Sequence, residues 1–255
     1  MMKVSSKEIK EIIASASTIE DMKEIIDRFK DDERKTVQKL MMSLNKKIIK
    51  IIKEEERIAM MWEYEKKSYS QGYEVICGID EAGRGPLAGP VVAGAVILPK
   101  DVILPGVNDS KKLSEQKRDE LFDLIKEKAL YWSVGIVDNN VIDEINILNA
   151  TKVAMLEAVD KLGIKPEKLL IDAVNLDTEI PQESMYKGDE KSISIAAASI
   201  IAKVIRDRMM EEYDKELPGY QFSKHKGYGT KEHYQGIDNH GISKIHRMTF
   251  LKNYL

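Results

Sequence analysis

Four carboxylates stand where apolar runs of this chain stop. Asp80 and Glu81 follow Val75, Ile76, Cys77 and Ile79; Asp172 follows Leu169, Leu170 and Ile171; Asp189 comes just after a shorter run that ends at Met185. If these runs are neighbouring strands, the four side chains converge at one edge of a sheet. Like charges gathered there raise one another's pKa unless something positive sits among them. Hard divalent cations suit such an all-oxygen set, and Mg²⁺ in particular takes few carboxylates plus water and substrate phosphate. Two such ions ~4 Å apart would activate a water and stabilise the leaving oxygen of an in-line phosphoryl displacement. Taken singly, each aspartate reads as a turn or helix-cap residue; the chemistry lies in the set.

Next to Glu81 lies a turn, Gly83-Arg84-Gly85, closed by Pro86 and Gly89. Glycine there permits positive φ or the close approach of a bulky group. The spacing G-x-G-x-x-x-G is one residue too long for the dinucleotide fingerprint, and no G-x-x-x-x-G-K-[ST] phosphate loop occurs. Two readings stay open: a tight hairpin connection, or backbone amides approaching a sugar-phosphate strand with Arg84 adding charge. All four histidines come late, at His225, His233, His240 and His246. They share this region with Lys224, Lys226, Lys231, Lys244, Arg247 and Lys252, and with Tyr220, Phe222, Tyr228 and Tyr234. Basic groups interleaved with rings suit phosphate contact and stacking on sugar or base. The plain alternative is a solvated surface with some core histidines; no pair has the i, i+4 spacing of a zinc helix.

The elements that must position these residues are legible in outline. Of 255 residues, 43% are hydrophobic and 33% charged, and the net charge is −3, so a sizeable core is available and no overall polarity announces a partner. Cys77 is the single cysteine, which leaves neither an intrachain disulfide nor a cysteine zinc site. The first ten residues lack the apolar core of a signal peptide and no run is long enough to span a bilayer, so a cytoplasmic location without membrane contact is expected. Residues 1–70 contain no glycine or proline and read as a helical accessory module. Ser5 with Glu8, and Ser17 with Glu20, have capping-box spacing. Met22, Ile25, Ile26 and Phe29 form one helical face, and Val37, Leu40, Met41, Leu44, Ile48, Ile51 and Ile52 the stripe of a longer helix. Ser68, Ser70, Gln71 and Gly72 mark the boundary.

Residues 71–255 read strand, strand, helix, strand, helix, strand, strand, helix. The first hairpin pairs Val75–Ile79 with Val91–Leu98. Ser114 caps a helix to about Ala129, Tyr131–Val137 alternates as a strand, and Asn140–Leu162 reads as one helix ended by Gly163 and Pro166. Ser192 to about Leu217 is a long helix stopped by Pro218. Short links favour antiparallel pairing and helical crossovers parallel pairing, which together predict an α/β fold with a mixed sheet flanked by helices.

The segments GIDEAGRGPLAGPVVAGAVIL (78–98), NDSKKLS (108–114), LLIDA (169–173), KGDEKSISIAAASIIAKVIRDR (187–208) and HKGYGTKEH (225–233) resemble, in order, those of the ribonuclease HII family (type 2 ribonucleases H). The resemblance covers the chain from about residue 72 onward, and helical extensions such as 1–70 are similar to those of some Gram-positive members. It implies a ribonuclease H-like mixed five-stranded sheet, cleavage of the RNA strand of RNA–DNA hybrids, and incision at single ribonucleotides in duplex DNA. By the same resemblance Asp80, Glu81, Asp172 and Asp189 are the acidic residues that hold Mg²⁺ or Mn²⁺. Gly83, Arg84 and Gly85 sense the 2′-hydroxyl, Tyr228 packs on deoxyribose, and Asn108 and Lys111 lie near phosphates. A monomer is expected. A DNA nuclease or recombinase of the same fold, and a nucleic-acid-binding protein without turnover, are the alternatives.

Overall fold

A computed structural model describes residues 4–252 and Tyr254. The chain divides into two compact units, Met1–Ala59 and Met60–Leu255. In the first, α1 (Ser6–Ser15), α2 (Ile19–Arg28) and most of α3 (Lys35–Met61) enclose Ile9, Met22, Ile25, Phe29, Val37, Met41, Leu44 and Ile48. The apolar spacing read from the sequence is therefore the buried face. The Ser5–Glu8 capping box forms as expected, with both reciprocal hydrogen bonds. The second box is displaced by one residue. Thr18 caps α2 and Asp21 answers it, because Asp21 also collects the Ser17 amide and thereby satisfies two donors before the helix starts.

In the second unit α4 (Glu63–Ser70) precedes a five-stranded sheet of order β3-β2-β1-β4-β5. The strands are β1 (Ile76–Ala82), β2 (Val91–Ile97), β3 (Tyr131–Val137), β4 (Lys168–Asp172) and β5 (Gln182–Met185). β1 pairs antiparallel with β2 and β2 with β3, while β1–β4 and β4–β5 are parallel. The mixed α/β sheet expected from the sequence is thus present. Between strands run α5 (Glu115–Lys128), α6 (Asn139–Ile145) and α7 (Ile147–Asp160); after β5 come α8 (Gly188–Lys191), α9 (Ile193–Glu216), α10 (Phe222–His225) and α11 (Lys231–His240). The single helix expected over 140–162 is broken at Asn146, whose φ of 67° leaves the helical region and whose side chain caps α7. Among the described residues no helix is long and apolar enough to cross a membrane.

Alternation along the strands decides which side chains meet which helix. Cys77, Ile79 and Ile171 enter the core shared with α7, where Ala154, Met155 and Ala158 are buried. Gly78, Asp80 and Gly94 share the opposite face, under α9. There the helix lies on bare backbone: a Cβ at Gly78 would stand 2.1 Å from the Ser194 carbonyl carbon, and one at Gly94 2.4 Å from the Ala198 oxygen. Glu65 of α4 pins the start of this helix, accepting from the Ser192 hydroxyl at 2.6 Å, the Ser194 hydroxyl at 2.6 Å and the Ser194 amide at 3.0 Å.

Candidate active site

The register brings two of the carboxylates side by side. Ile79 pairs with Ile171 across parallel β1 and β4, so Asp80 and Asp172 are the next residues out at the carboxyl ends of adjacent strands. Ligands in open α/β sheets bind at such ends. Asp80 is 3% exposed, and its Oδ1 accepts the Glu81 amide at 2.7 Å. Asp172 Oδ1 accepts the Gly188 amide at 2.7 Å, which ties β4 to α8 and so carries Asp189, the next residue, to the same edge. Both connections use left-handed backbone at non-glycine residues, Ala173 (φ 52°) and Lys187 (φ 57°). Such conformations persist only where surrounding contacts over-determine them.

The carboxylates feel one another. Burial, then the charges of Glu81 and Asp172, hold Asp80 well above the usual carboxylate range. Burial also raises Glu81, against the opposing pull of Arg84, whose Nη1 lies 3.3 Å from Glu81 Oε1. Burial and then the charge of Asp109 push Asp189 up to about 6. Lys111 is the positive group among them. Burial alone would lower its ammonium, but Asp80, Asp189, Asp109 and Asp172 together outweigh burial and raise it.

The donor set is all oxygen, and Glu81 Oε2 is buried without a hydrogen-bond partner. Both features fit a hard divalent cation. Among the described residues no three His, Cys, Asp or Glu side chains already stand arranged to hold a metal ion. An ion here would accordingly complete its shell with water and phosphate oxygens, as Mg²⁺ ordinarily does.

Beyond Glu81 opens a cleft of about 450 Å³ lined by Gly83, Arg84, Gly85, Lys111, Arg118, Lys203 and Tyr228, among others. Thus the turn, one lysine and one tyrosine singled out in the sequence meet in one cavity. The glycines differ in kind. Gly83 has φ 99° and lies so close to Arg206 that a Cβ would stand 2.0 Å from its Nε. At Gly85 a Cβ would meet only Tyr228 Cε1, at an ordinary 3.5 Å. Asn108 does not line the cleft; its Oδ1 accepts the Asp109 amide at 2.8 Å and shapes the loop that carries Lys111.

Two buried arginines hold the turn: Arg206, not selected from the sequence, and Arg247, read there only as one of the late basic groups suited to phosphate contact. Arg247 donates to the carbonyls of Gly83 (2.6 Å), Arg84 (3.0 Å) and Gly89 (2.8 and 3.0 Å). Arg206 donates to Ala88 (3.2 Å) and Pro90 (3.0 Å) on the turn side and to Lys226 (2.9 Å) on the Tyr228 side, joining both walls. Burial lowers Arg206 to about 10, and burial with the neighbouring Arg206 charge lowers Arg247 to about 9. Asp109 is the other omission: 9% exposed, it accepts the Lys111 amide at 2.9 Å and faces Asp189. In the sequence it stood only as a member of the NDSKKLS segment; the structure makes it the cap of a short 3₁₀ turn over Ser110–Lys112.

Two of the four histidines, His233 and His246, belong to the core reading, while His225 is half-buried and His240 exposed. Ser243 N–H donates to His246 Nδ1, so the proton of that ring sits on Nε2 and points at His233 Nε2, 3.0 Å away; His233 Nδ1–H then donates to the Tyr228 carbonyl at 2.9 Å. Burial lowers both rings to about 4. Tyr220 and Phe222 are buried against them and are unavailable for stacking on a base, unlike Tyr228, which is 45% exposed.

Residues 77–253 match the protein family Ribonuclease HII, and residues 5–69 the family Ribonuclease HII N-terminal domain. The chain is similar to Ribonuclease HII of Clostridioides difficile (strain 630), 55% identical over 256 residues and 100% of both chains. Its fold is similar to the ribonuclease H2 from Pyrococcus horikoshii OT3, with a TM-score of 0.59, 28% identity and coverage of 69% of this chain and 93% of that one. It is also similar to the RNase HII solved in complex with PCNA from Archaeoglobus fulgidus, with a TM-score of 0.59, 29% identity and coverage of 69% and 94%.

Proposed function

From the premise that this chain belongs to the ribonuclease HII family, and is therefore a ribonuclease H and an endonucleolytic hydrolase of RNA–DNA hybrids, we propose that it also incises at single ribonucleotides embedded in duplex DNA. One observation carries the reading: Glu81 of the carboxylate edge, the Gly83-Arg84-Gly85 turn and Tyr228 line one cleft. Asp80, Glu81, Asp172 and Asp189 would hold two divalent cations, Mg²⁺ or Mn²⁺. When bound, these supply an acidified attacking water and neutralise charge on the leaving oxygen.

The remaining work falls to the protein's own groups. Lys111 keeps the acidic edge from repelling an incoming phosphate and contacts the backbone next to the cut. Asn108 has its Oδ1 committed to the Asp109 amide and offers its NH₂ to a neighbouring phosphate. Arg84, half exposed and reaching back to Glu81, neutralises the phosphate on the turn side. The Gly83–Gly85 backbone reads the 2′-hydroxyl, the group that separates RNA from DNA. Tyr228 stacks on the deoxyribose beyond it. The products expected are 5′-phosphate and 3′-hydroxyl ends. Every group named comes from one chain, so a monomer suffices, and a cytoplasmic setting is in keeping with it. Residues 1–70 would act as an accessory module beside a catalytic domain at 71–255.

The test is a denaturing-gel assay on three duplexes: a long RNA–DNA hybrid, DNA with one embedded ribonucleotide, and all-DNA. Mg²⁺-dependent incision is expected on the first two, nearly abolished by Asp80→Asn, and Tyr228→Ala should harm the single-ribonucleotide duplex most. Cutting of all-DNA at a comparable rate would instead favour a DNA nuclease. Tight binding of all three without products would favour a binding protein.

A further inference from the structure

The carboxyl edge of the sheet does not end at its carboxylates. Met185 of β5 pairs with Asp172 of β4, so Tyr186 is the next residue out on the edge strand, past Asp172 from the turn that leaves β1 toward β2. Its side chain is 80% exposed, more than any other large hydrophobic side chain among the described residues. Single exposed hydrophobics are ordinary on a surface, but this one is rigidly presented. On one side the Ala173 amide donates to the Met185 carbonyl at 3.0 Å, and on the other the Gly188 amide donates to Asp172 Oδ1 at 2.7 Å. Lys187, between these ties, has left-handed backbone with φ 57°, a conformation that costs free energy in a lysine. Its exposed ammonium lies 3.8 Å from Glu190 Oε1, an oxygen that Lys112 already approaches at 2.7 Å.

A rigid two-residue projection that bares a ring and a cation beside the acidic edge is complementary to a sugar face and its phosphate. We propose that Tyr186 and Lys187 form a second contact with the sugar-phosphate backbone of the duplex, on the side of the cut away from the Gly83–Gly85 turn. The ring lies on a sugar and the ammonium meets the adjoining phosphate. Neighbouring strands stand ~4.8 Å apart, so β5 is about 10 Å from the strand of Asp80, the length of roughly three base-pair steps. A duplex that stops short of that distance on this side loses the contact. The pair therefore sets how much duplex the enzyme requires beyond the cut. This contact presupposes hybrid cleavage and is independent of whether a single ribonucleotide suffices.

The test uses the full chain with Mg²⁺ and duplexes that carry either a short RNA tract or one ribonucleotide between two DNA arms. Each arm is shortened in turn from about ten base pairs to about two, and a gel fixes the position of the cut. The tract duplexes need only hybrid cleavage, so their result stands apart from the single-ribonucleotide reading. In the unsubstituted chain, shortening the arm on the Tyr186 side should raise KM about tenfold, the worth of one aromatic stack. In Tyr186→Ala, KM for the full duplex should already be about tenfold higher, and shortening that arm should add less than about twofold, while the other arm keeps its effect. Tyr186→Phe should behave as the unsubstituted chain. Lys187→Asn, which tolerates left-handed backbone, should lower the slope of log KM against log salt by ~0.9. The same response to both arms in Tyr186→Ala as in the unsubstituted chain overturns the proposal. So does a lower affinity of Tyr186→Ala for Mn²⁺, measured calorimetrically without nucleic acid, because the substitution would then act by displacing Asp172 or Asp189.

Discussion

Two glycines in one turn separate folding from recognition. Gly83 is glycine because the fold demands it: its φ of 99° is left-handed, and Arg206 occupies the space a Cβ would need. Gly85 meets no such demand from the protein, so its bare backbone is left for whatever enters the cleft. Gly83→Ala should therefore cost about 1–3 kcal/mol through strain and overpacking, visible as a lower Tm. Gly85→Ala should leave Tm within a degree or two while cutting kcat/KM on the single-ribonucleotide duplex by at least about tenfold, some ~1.4 kcal/mol of transition-state stabilisation. Full activity of Gly85→Ala in the gel assay would remove this residue from sugar recognition.

At the scale of the element, α9 organises the site along one face. Ser199, Lys203 and Arg206 lie at i, i+4 and i+7. They deliver a hydroxyl to Asp80, an ammonium to the cleft and a guanidinium to both its walls. The helix can do this only because Gly78 and Gly94 let it rest on the strands and Glu65 satisfies the Ser194 amide in its first turn. Arg206→Met should leave three carbonyls unpaired, at ~1–3 kcal/mol for each one kept from water. The expected result is a lower Tm together with a loss of preference for the single-ribonucleotide duplex over the long hybrid, because the turn and the Tyr228 loop lose their common tie. A lower Tm with that preference unchanged would reduce Arg206 to a stabilising role.

Over the whole molecule, stability and the acidic edge pull in opposite directions with pH. His233 and His246 are held near 4, below the ordinary 6.5, so their neutral forms contribute stability that is present above ~6.5 and lost as pH falls toward 4. The raised Asp80, Glu81 and Asp189 have the other sign: their burial destabilises at neutral pH and is relieved on acidification. Guanidinium unfolding of the unsubstituted chain and of His233→Leu/His246→Leu at pH 7 and pH 5 separates the two. The variant should lose less stability, or gain more, between these values; an identical difference in both proteins would show that the histidine pair is not linked to folding. The C-terminal segment this pair stabilises also hydrogen-bonds the turn, through Leu87 N to Gly227 O and Gly89 N to Ile245 O, each at 2.8 Å. Acid loosening there should reach the cleft.

By itself the sequence determined what repeats or punctuates: the strands that carry Asp80 and Asp172, the caps at Ser5 and Ser114, the long helix after Ser192 and the order of the five family segments. These are local, because periodicity and capping act within a few residues. The one-residue shift of the cap to Thr18 and the break at Asn146 show where local signals compete and side-chain geometry chooses. Tertiary structure alone decided the rest. Parallel register set Asp80 beside Asp172, a hydrogen bond to Gly188 brought Asp189 round, and Asp109, Arg206 and Arg247 acquired their roles from partners up to 164 positions away. Such roles leave no spacing to read, since a buried guanidinium held by backbone carbonyls looks in sequence like any other charge.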